Sequence, residues 1–80
     1  MVISVAQIVV GTRLTLSGVL HCSSYGEGTG RRFSNYPVRI VKIVSGRPYP
    51  VLLGDDYSNQ LGWVSYDELT RESIIIVHLR

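Results

Sequence analysis

Two histidines and one cysteine, His21, Cys22 and His78, are the side chains of this 80-residue chain best suited to covalent or metal chemistry. His21 and Cys22 are adjacent, so on a strand they point to opposite faces and cannot form a nucleophile–base pair. Their spacing to His78 matches no zinc-binding pattern. We therefore expect a half-buried histidine and a small apolar cysteine, and we predict no catalysis, no metal site and no cofactor.

A second candidate is the set of glycines at positions 26, 28 and 30, which precedes Arg31 and Arg32. The set lacks the lysine and hydroxyl residue that end a phosphate-binding loop, and Glu27 would repel an anion. The glycines are better explained by the backbone freedom that they provide. The two arginines either hold a carboxylate or phosphate of a ligand or form a solvated loop tip.

Two acidic pairs have structural explanations. Asp55 and Asp56 lie in a polar segment typical of a hairpin loop, where aspartates organise turns. Asp67 and Glu68 follow Ser65, and acids are favoured in the first turn of a helix.

The aromatic residues give the strongest indication of a binding surface, because their rings offer large contact areas at low entropic cost. Tyr49 lies between two prolines, and Trp63, the one tryptophan of the chain, is followed by Tyr66. Trp63 is either the largest side chain of the core or the floor of a groove. The predicted ligand-binding residues are Tyr25, Arg31, Arg32, Phe33, Tyr49, Trp63 and Tyr66.

Composition limits the possible classes of protein. The chain is long enough for one domain, with 45% hydrophobic residues and a net charge of +2, and its many Val, Ile and Tyr residues favour strands. The basic residues are too few and too mixed with acids to predict nucleic-acid binding. One cysteine permits no internal disulfide. Residues 1–10 lack the basic start of a signal peptide, and no apolar run is long enough to span a membrane.

The hydrophobic pattern predicts a series of short strands. Residues 1–10 are apolar and indicate a strand, and in the next segment Leu14 and Leu16 alternate with polar residues. Residues 23–35 show no apolar period and predict a long loop, as expected of a functional segment. Residues 38–44 form the strongest strand, either with a bulge or covered on both faces. Strands are also predicted at residues 49–53, 61–64 and 74–77.

These elements predict an all-β fold, a small barrel of five to six short antiparallel strands with a one-turn helix at residues 65–69. Ser65 would cap this helix, and Leu69 would return to the core. The whole chain is one domain with its core at residues 10–69. The apolar segments 1–9 and 70–80 would add terminal strands that pair within the chain or between two copies. Such a dimer interface would contain Ile3, Val5, Ile74 and Ile76.

Several segments together resemble a known family. They are residues 10–18 (VGTRLTLSG), 20–21 (LH), 23–25 (SSY), 38–43 (VRIVKI), 47–53 (RPYPVLL) and 61–69 (LGWVSYDEL). They are similar to the SH3-like cell-wall-binding domains found at the C-termini of phage endolysins and N-acetylmuramoyl-L-alanine amidases, especially those of clostridia and their phages.

The resemblance implies an SH3-like barrel without catalytic activity. Such a domain attaches a separate lytic domain, an amidase or a peptidase absent from this chain, to a Gram-positive cell wall. Its ligand would be peptidoglycan or a polymer attached to it. The resemblance also implies Tyr25, Tyr49 and Trp63 as ligand contacts and residues 23–35 as the specificity loop. It further implies a phage protein that is made in the host cytoplasm and acts at the wall. Arg31, Arg32 and Phe33 match no motif of the family.

Two other functions remain open at this stage. The domain could be an assembly module that regulates an attached lytic enzyme by dimerising through its terminal strands. It could also be an SH3-like barrel that binds nucleic acid or a peptide, although the weak net charge argues against nucleic acid.

Overall fold

The computed structural model describes residues 3–23, 28–71 and 74–80. It contains the antiparallel strands β1 (Arg13–Ser23), β2 (Gly28–Ile43), β3 (Val51–Gly54), β4 (Gln60–Val64) and β5 (Ile75–Leu79), with one short helix, α1 (Tyr66–Thr70), between β4 and β5. The strand order is β2-β3-β4-β1-β5, and β2 also pairs with β1. The predicted all-β class and the short helix are therefore confirmed.

Strand β1 organises the sheet because it pairs with three other strands. It pairs with β2 from Arg13 to Cys22, with β5 from Leu14 to Gly18, and with β4 at Cys22 and Ser23. Its ladder with β2 shifts register between Leu16 and Gly18 and again between Leu20 and Cys22, and the φ angle of Gly18 is +111°. A Cβ atom at this position would collide with the carbonyl oxygen of Ile74. Glycine therefore lets β1 bend while β5 approaches it closely.

The core lies on one face of the strands and follows their alternation. Leu14, Leu16 and Leu20 of β1 are fully buried, as predicted for the first two. They pack in one cluster with residues from every other strand and from α1, among them Val38, Ile40, Val51, Leu53, Val64, Leu69, Ile75 and Val77. The predicted bulge in the strongest strand is present as a register shift between Ile40 and Lys42.

The N-terminal segment corrects a prediction, because Val5–Gln7 form a 3-10 turn and not a strand. The Gln7 side chain closes this turn by accepting a hydrogen bond from the Ser4 N–H at 2.9 Å. Ile3 and Ile8, five residues apart, are both buried in the core cluster from this turn. This packing accounts for the two isoleucines of the segment, so Ile3 is not available to a second copy as predicted, whereas Val9 and Val10 are exposed. Val5 is exposed.

Residues 28–35 correct a second prediction, since they belong to β2 and not to a loop. Their backbone pairs with β1, where Phe33 lies opposite Gly18 and Gly28 opposite Cys22. A strand held by backbone hydrogen bonds to a neighbour needs few apolar side chains, which is why the hydrophobic pattern missed it. Tyr25, a predicted ligand-binding residue, lies outside the described residues.

The predicted C-terminal strand is present, but its partner differs from the one expected. β5 pairs with β1, where Leu16 lies opposite Val77 and Ser17 opposite Ile76. The predicted pairing with the N-terminal segment is wrong within the chain, because Val5–Gln7 form a 3-10 turn over the core, and the pairing between two copies stays a prediction. Ile74 is exposed and Ile76 is half-buried.

Helix α1 begins as the sequence predicted. The Ser65 hydroxyl accepts a hydrogen bond from the Glu68 N–H at 3.1 Å, and the Glu68 carboxylate accepts one from the Ser65 N–H at 3.0 Å. This reciprocal capping box satisfies two N–H groups at the helix start. Leu69 then returns to the core, where it is fully buried.

Candidate functional site

The hairpin of β3 and β4 has two chemically different ends. At one end Val51 lies opposite Val64, and the chain enters through the Pro48, Tyr49 and Pro50 segment. We call this the aromatic end. At the other end Gly54 lies opposite Gln60, and residues 55–59 form the connecting loop. We call this the ionic end.

Trp63 lies on the outer face of the hairpin, opposite Leu52 of β3. Its neighbour Val64 belongs to the core cluster, so alternation directs the indole to the other face. Only 7% of Trp63 is exposed, yet it is not a member of the core cluster. The tryptophan is thus a buried side chain of a second, smaller layer outside the core.

Arg47 covers the tryptophan. Its guanidinium carbon lies 4.3 Å from the centre of the Trp63 ring, which is a close cation–π stack. Arg47 belongs to the turn between β2 and β3, where Gly46 adopts a φ angle of +85°. Sequence reasoning missed Arg47 as a site residue. The signal available was its position directly before the Pro48, Tyr49 and Pro50 segment.

Two tyrosines lie beyond the same end of the ladder. Tyr49 precedes Val51 by two residues and Tyr66 follows Val64 by two residues, while Val51 and Val64 are directly paired. Tyr49 is 42% exposed and Tyr66 is 37% exposed. The aromatic end therefore brings together three of the predicted residues, Tyr49, Trp63 and Tyr66, and adds Arg47.

The other predicted site residues lie on β2. Phe33 is buried in the core cluster, with its ring centre 5.4 Å from that of Tyr36. The guanidinium carbon of Arg31 lies 5.0 Å from the Phe33 ring, and Arg31 and Arg32 are exposed opposite Leu20 and Val19 of β1. The Phe33 ring thus packs against Tyr36 and the core, and its role as a ligand contact stays a prediction.

The loop of the ionic end is built around Asp55, which is only 4% exposed. Its carboxylate accepts hydrogen bonds from the backbone N–H groups of Tyr57 and Asn59 at 2.8 and 2.9 Å, and from the Asn59 side-chain amide at 2.9 Å. The Tyr36 hydroxyl donates a fourth at 3.4 Å. The prediction that Asp55 organises a turn agrees with this geometry.

The same contacts set the charge state of Asp55. The Asn59 side chain first, and then the backbone N–H groups and the Tyr36 hydroxyl, hold the pKa of the Asp55 carboxyl below its usual value, although burial acts in the opposite direction. The carboxylate form is therefore the one that the loop stabilises.

Asp56 is bound by Arg80. Both carboxylate oxygens lie 3.1 Å from guanidinium nitrogens of Arg80, whose Nη2 also donates to the Val38 carbonyl oxygen at 2.7 Å. The hydrogen bond from Arg80 lowers the pKa of the Asp56 carboxyl, and the charges of Arg80, Arg13 and Arg39 act in the same direction. Sequence reasoning found neither this pair nor the arginines around it.

Neither histidine lies in the β3–β4 hairpin. His21 is exposed on β1, and His78 is exposed on β5 opposite Thr15. Within residues 3–23, 28–71 and 74–80, no three His, Cys, Asp or Glu side chains lie close enough together to hold a metal ion. None of the helical segments in those ranges has the length and apolar character needed to cross a membrane.

Comparisons with known proteins add no identification. No model of a protein family matches the chain, and the comparisons with curated proteins and with solved structures found no match.

Proposed function

We propose that this domain is a non-catalytic binding module for a polymer of the Gram-positive bacterial cell wall, and that the aromatic end of β3 and β4 is its binding surface. One observation carries the proposal. The Arg47–Trp63 stack lies at the same end of the hairpin as two exposed tyrosines, Tyr49 and Tyr66. Such a surface offers flat rings for sugar faces and peptide groups, with hydroxyl and guanidinium donors beside them.

The strand pairings support an SH3-like barrel as the frame of this surface. β1 pairs with β2, β2 with β3, β3 with β4, and β4 again with the end of β1 at Cys22 and Ser23. Curling of the sheet along this path would bring the turn that carries Arg47 beside the start of α1. The resemblance of residues 47–53 and 61–69 to endolysin wall-binding domains is consistent with that frame.

In this proposal the domain supplies attachment and a separate amidase or peptidase supplies lysis, as in a phage endolysin that acts at the host wall. The aromatic end supports a binding role because it presents stacking surfaces and hydrogen-bond donors. Attachment of this kind relies on many modest contacts.

The test is co-sedimentation of the chain with purified Gram-positive cell walls. The variant Tyr49→Ala/Tyr66→Ala should lose about tenfold in affinity, the usual effect of removing aromatic anchors from a binding surface. Tyr57→Ala is the matched control, because Tyr57 is 84% exposed but lies in the loop of the ionic end. It should bind like the parent chain.

Two results would contradict the proposal. One is that the parent chain does not sediment with walls that retain a full-length lytic enzyme. The other is that Tyr57→Ala weakens binding as much as the double variant does. Circular dichroism of each variant establishes that the fold is unchanged.

Assembly through β5 is a second candidate function, favoured by one specific observation. β5 lies at the end of the strand order, and among the described strands it pairs with β1. The adjacent exposed Ile74 and half-buried Ile76 suit a contact with a second copy. Sedimentation velocity at high micromolar concentration tests it. A dimer that Ile76→Lys dissociates would support assembly, and a monomer at all concentrations would exclude it.

A further inference from the structure

Three arginines lie side by side across three adjacent strands. Arg13 of β1 is the direct partner of Arg39 of β2, and the Arg80 N–H donates to the Arg13 carbonyl oxygen at 3.1 Å from the end of β5. Leu14 and Val38, next to these arginines in the sequence, are fully buried. Alternation therefore directs Arg13 and Arg39 to the outer face. We call these three residues the arginine row.

The register makes the row unusually close. The Ile40 N–H donates to the Thr12 carbonyl oxygen at 2.9 Å and the Ile40 carbonyl oxygen accepts from the Gly11 N–H at 2.8 Å, so Ile40 occupies a hydrogen-bonded position of the ladder next to Arg39. Hydrogen-bonded and non-hydrogen-bonded pairs alternate along an antiparallel ladder, so Arg13 and Arg39 form a non-hydrogen-bonded pair. In such a pair the side chains lie closest, with Cα atoms about 4.5 Å apart. Like charges directly opposite one another destabilise a sheet.

One described carboxylate neutralises part of this charge. Asp56 binds Arg80 through both of its oxygens, and neither Arg13 nor Arg39 forms an ion pair within the described part of the chain. The charges of Arg13 and Arg39 nevertheless act on Asp56, since both contribute to the lowered pKa of its carboxyl. The row thus carries an excess of positive charge around a single internal anion.

We propose that the arginine row is a binding site for a phosphate group, with Asp56 as an internal competitor for Arg80. Phosphate has more oxygens than a carboxylate and can accept from two or three guanidinium groups at once. Thr15 and His78 lie on the next row of the same face, directly opposite each other, and extend its polar surface. This site lies at the ionic end and is separate from the aromatic end.

The inference rests on the proposed function for the source of the phosphate, which we assign to the phosphodiester groups of an anionic wall polymer. A domain with a net charge of +2 and six acidic residues is a poor general binder of nucleic acid. Wall polymer and free phosphate share the same chemistry and are separated by the experiment below.

The first experiment titrates the isotope-labelled chain with inorganic phosphate at constant ionic strength and follows its amide resonances. We expect saturable shifts at Arg13, Arg39 and Arg80. Arg13→Gln should weaken binding about fivefold, as the loss of one exposed charge-assisted contact does. The matched control is Arg71→Gln, an exposed arginine that lies just after α1 and belongs to neither proposed site. It should leave the affinity unchanged.

The variant Asp56→Asn gives the sharpest result. Removing the internal anion should tighten phosphate binding roughly fourfold, the Coulomb effect of one unit charge about 5 Å away in water. Weaker binding by Asp56→Asn would overturn the proposal. Shifts that rise linearly without saturation, or an equal loss in Arg71→Gln, would do the same.

The second experiment measures sedimentation with walls before and after chemical removal of their phosphodiester polymers. Removal should weaken binding of the parent chain and leave Arg13→Gln unaffected. If the chain binds walls but neither removal of the phosphodiester polymers nor Arg13→Gln weakens that binding, the arginine row is not a polymer site. The aromatic end is then the one proposed wall-binding surface that remains. If walls do not bind but phosphate does, the proposed function fails and the phosphate site remains. Tighter binding to single-stranded DNA than to walls would contradict the assigned source.

Discussion

The two ends of the β3–β4 hairpin use their polar groups in opposite ways. At the ionic end one buried carboxylate organises the loop, since Asp55 accepts four hydrogen bonds. At the aromatic end the packing is by rings and a guanidinium, and the tyrosine side chains remain partly exposed. Exposure by itself does not mark a site, since Tyr57 is more exposed than either Tyr49 or Tyr66.

The comparison separates stability from recognition. A carboxylate that accepts four hydrogen bonds holds its loop together, so its removal should lower the stability of the fold. Aromatic rings that pack on one side and are exposed to solvent on the other form a binding surface, so their removal should weaken binding. Substitutions at each end test whether the side chains there contribute to stability or to binding.

Trp63→Ala should cost about 3–5 kcal/mol of unfolding free energy, the usual range for removing a large buried aromatic side chain. Urea denaturation followed by circular dichroism measures it, because the variant has no tryptophan fluorescence. Trp63→Phe serves as the comparison and should lose less. A cost below 1 kcal/mol for Trp63→Ala would mean that the indole acts as a surface group and that the second layer is not structural.

Acidification should destabilise the ionic end. The folded pKa of Asp55 lies below its unfolded value of about 3.9, so its contribution is complete above that value and is lost as the pH falls through the folded pKa. Asp55→Asn should lower the urea midpoint at pH 7 and flatten its decline between pH 5 and pH 2.5. Asp67→Asn, an exposed acid of α1, is the control. An unchanged acid profile in Asp55→Asn would show that the loop does not depend on this carboxylate.

Arg47→Ala should uncover the indole of Trp63. We expect a loss of about 0.5–1 kcal/mol, typical of an exposed cation–π stack. Because Trp63 is the one tryptophan, acrylamide quenching of fluorescence reports its accessibility directly and should increase. Arg71→Ala, just after α1, should not change the quenching. If Arg47→Ala leaves the quenching constant as it is, some other group covers the ring.

Arg80→Gln should have the smallest effect on stability, about 1 kcal/mol or less, because a partly exposed ion pair is screened by water and ions. The difference from the parent chain should shrink between 0.05 and 0.5 M salt in urea unfolding experiments. A larger effect that does not depend on salt would assign the contribution to the hydrogen bond between Arg80 and the Val38 carbonyl.

Local patterns predicted the elements whose signal is contained within a few residues. The alternation around Leu14 and Leu16, the capping box of Ser65 and Glu68, and the apolar run before His78 each gave the correct element. Asp55 was predicted to shape a turn because its loop sequence is typical of one.

What the sequence could not predict depends on register between distant segments. Residues 28–35 became a strand because β1 supplied a partner, and Val5–Gln7 became a 3-10 turn because Ile3 and Ile8 met the core on either side of it. The Arg47–Trp63 stack and the arginine row join residues from separate elements. Composition shows that arginines are present, but only the pairing of β1 with β2 and β5 brings three of them together.

The position of β1 also orders the steps by which the domain opens. β2 follows β1 directly in the chain, whereas β5 returns to β1 from the far end and meets it at Gly18, where close approach is essential. Detachment of β5 breaks one ladder, but detachment of β1 breaks three. We therefore expect amide protons of β5 to exchange with solvent through a partial opening, ahead of those shared by β1 and β2. Native-state hydrogen exchange would then resolve two cooperative units within these 80 residues.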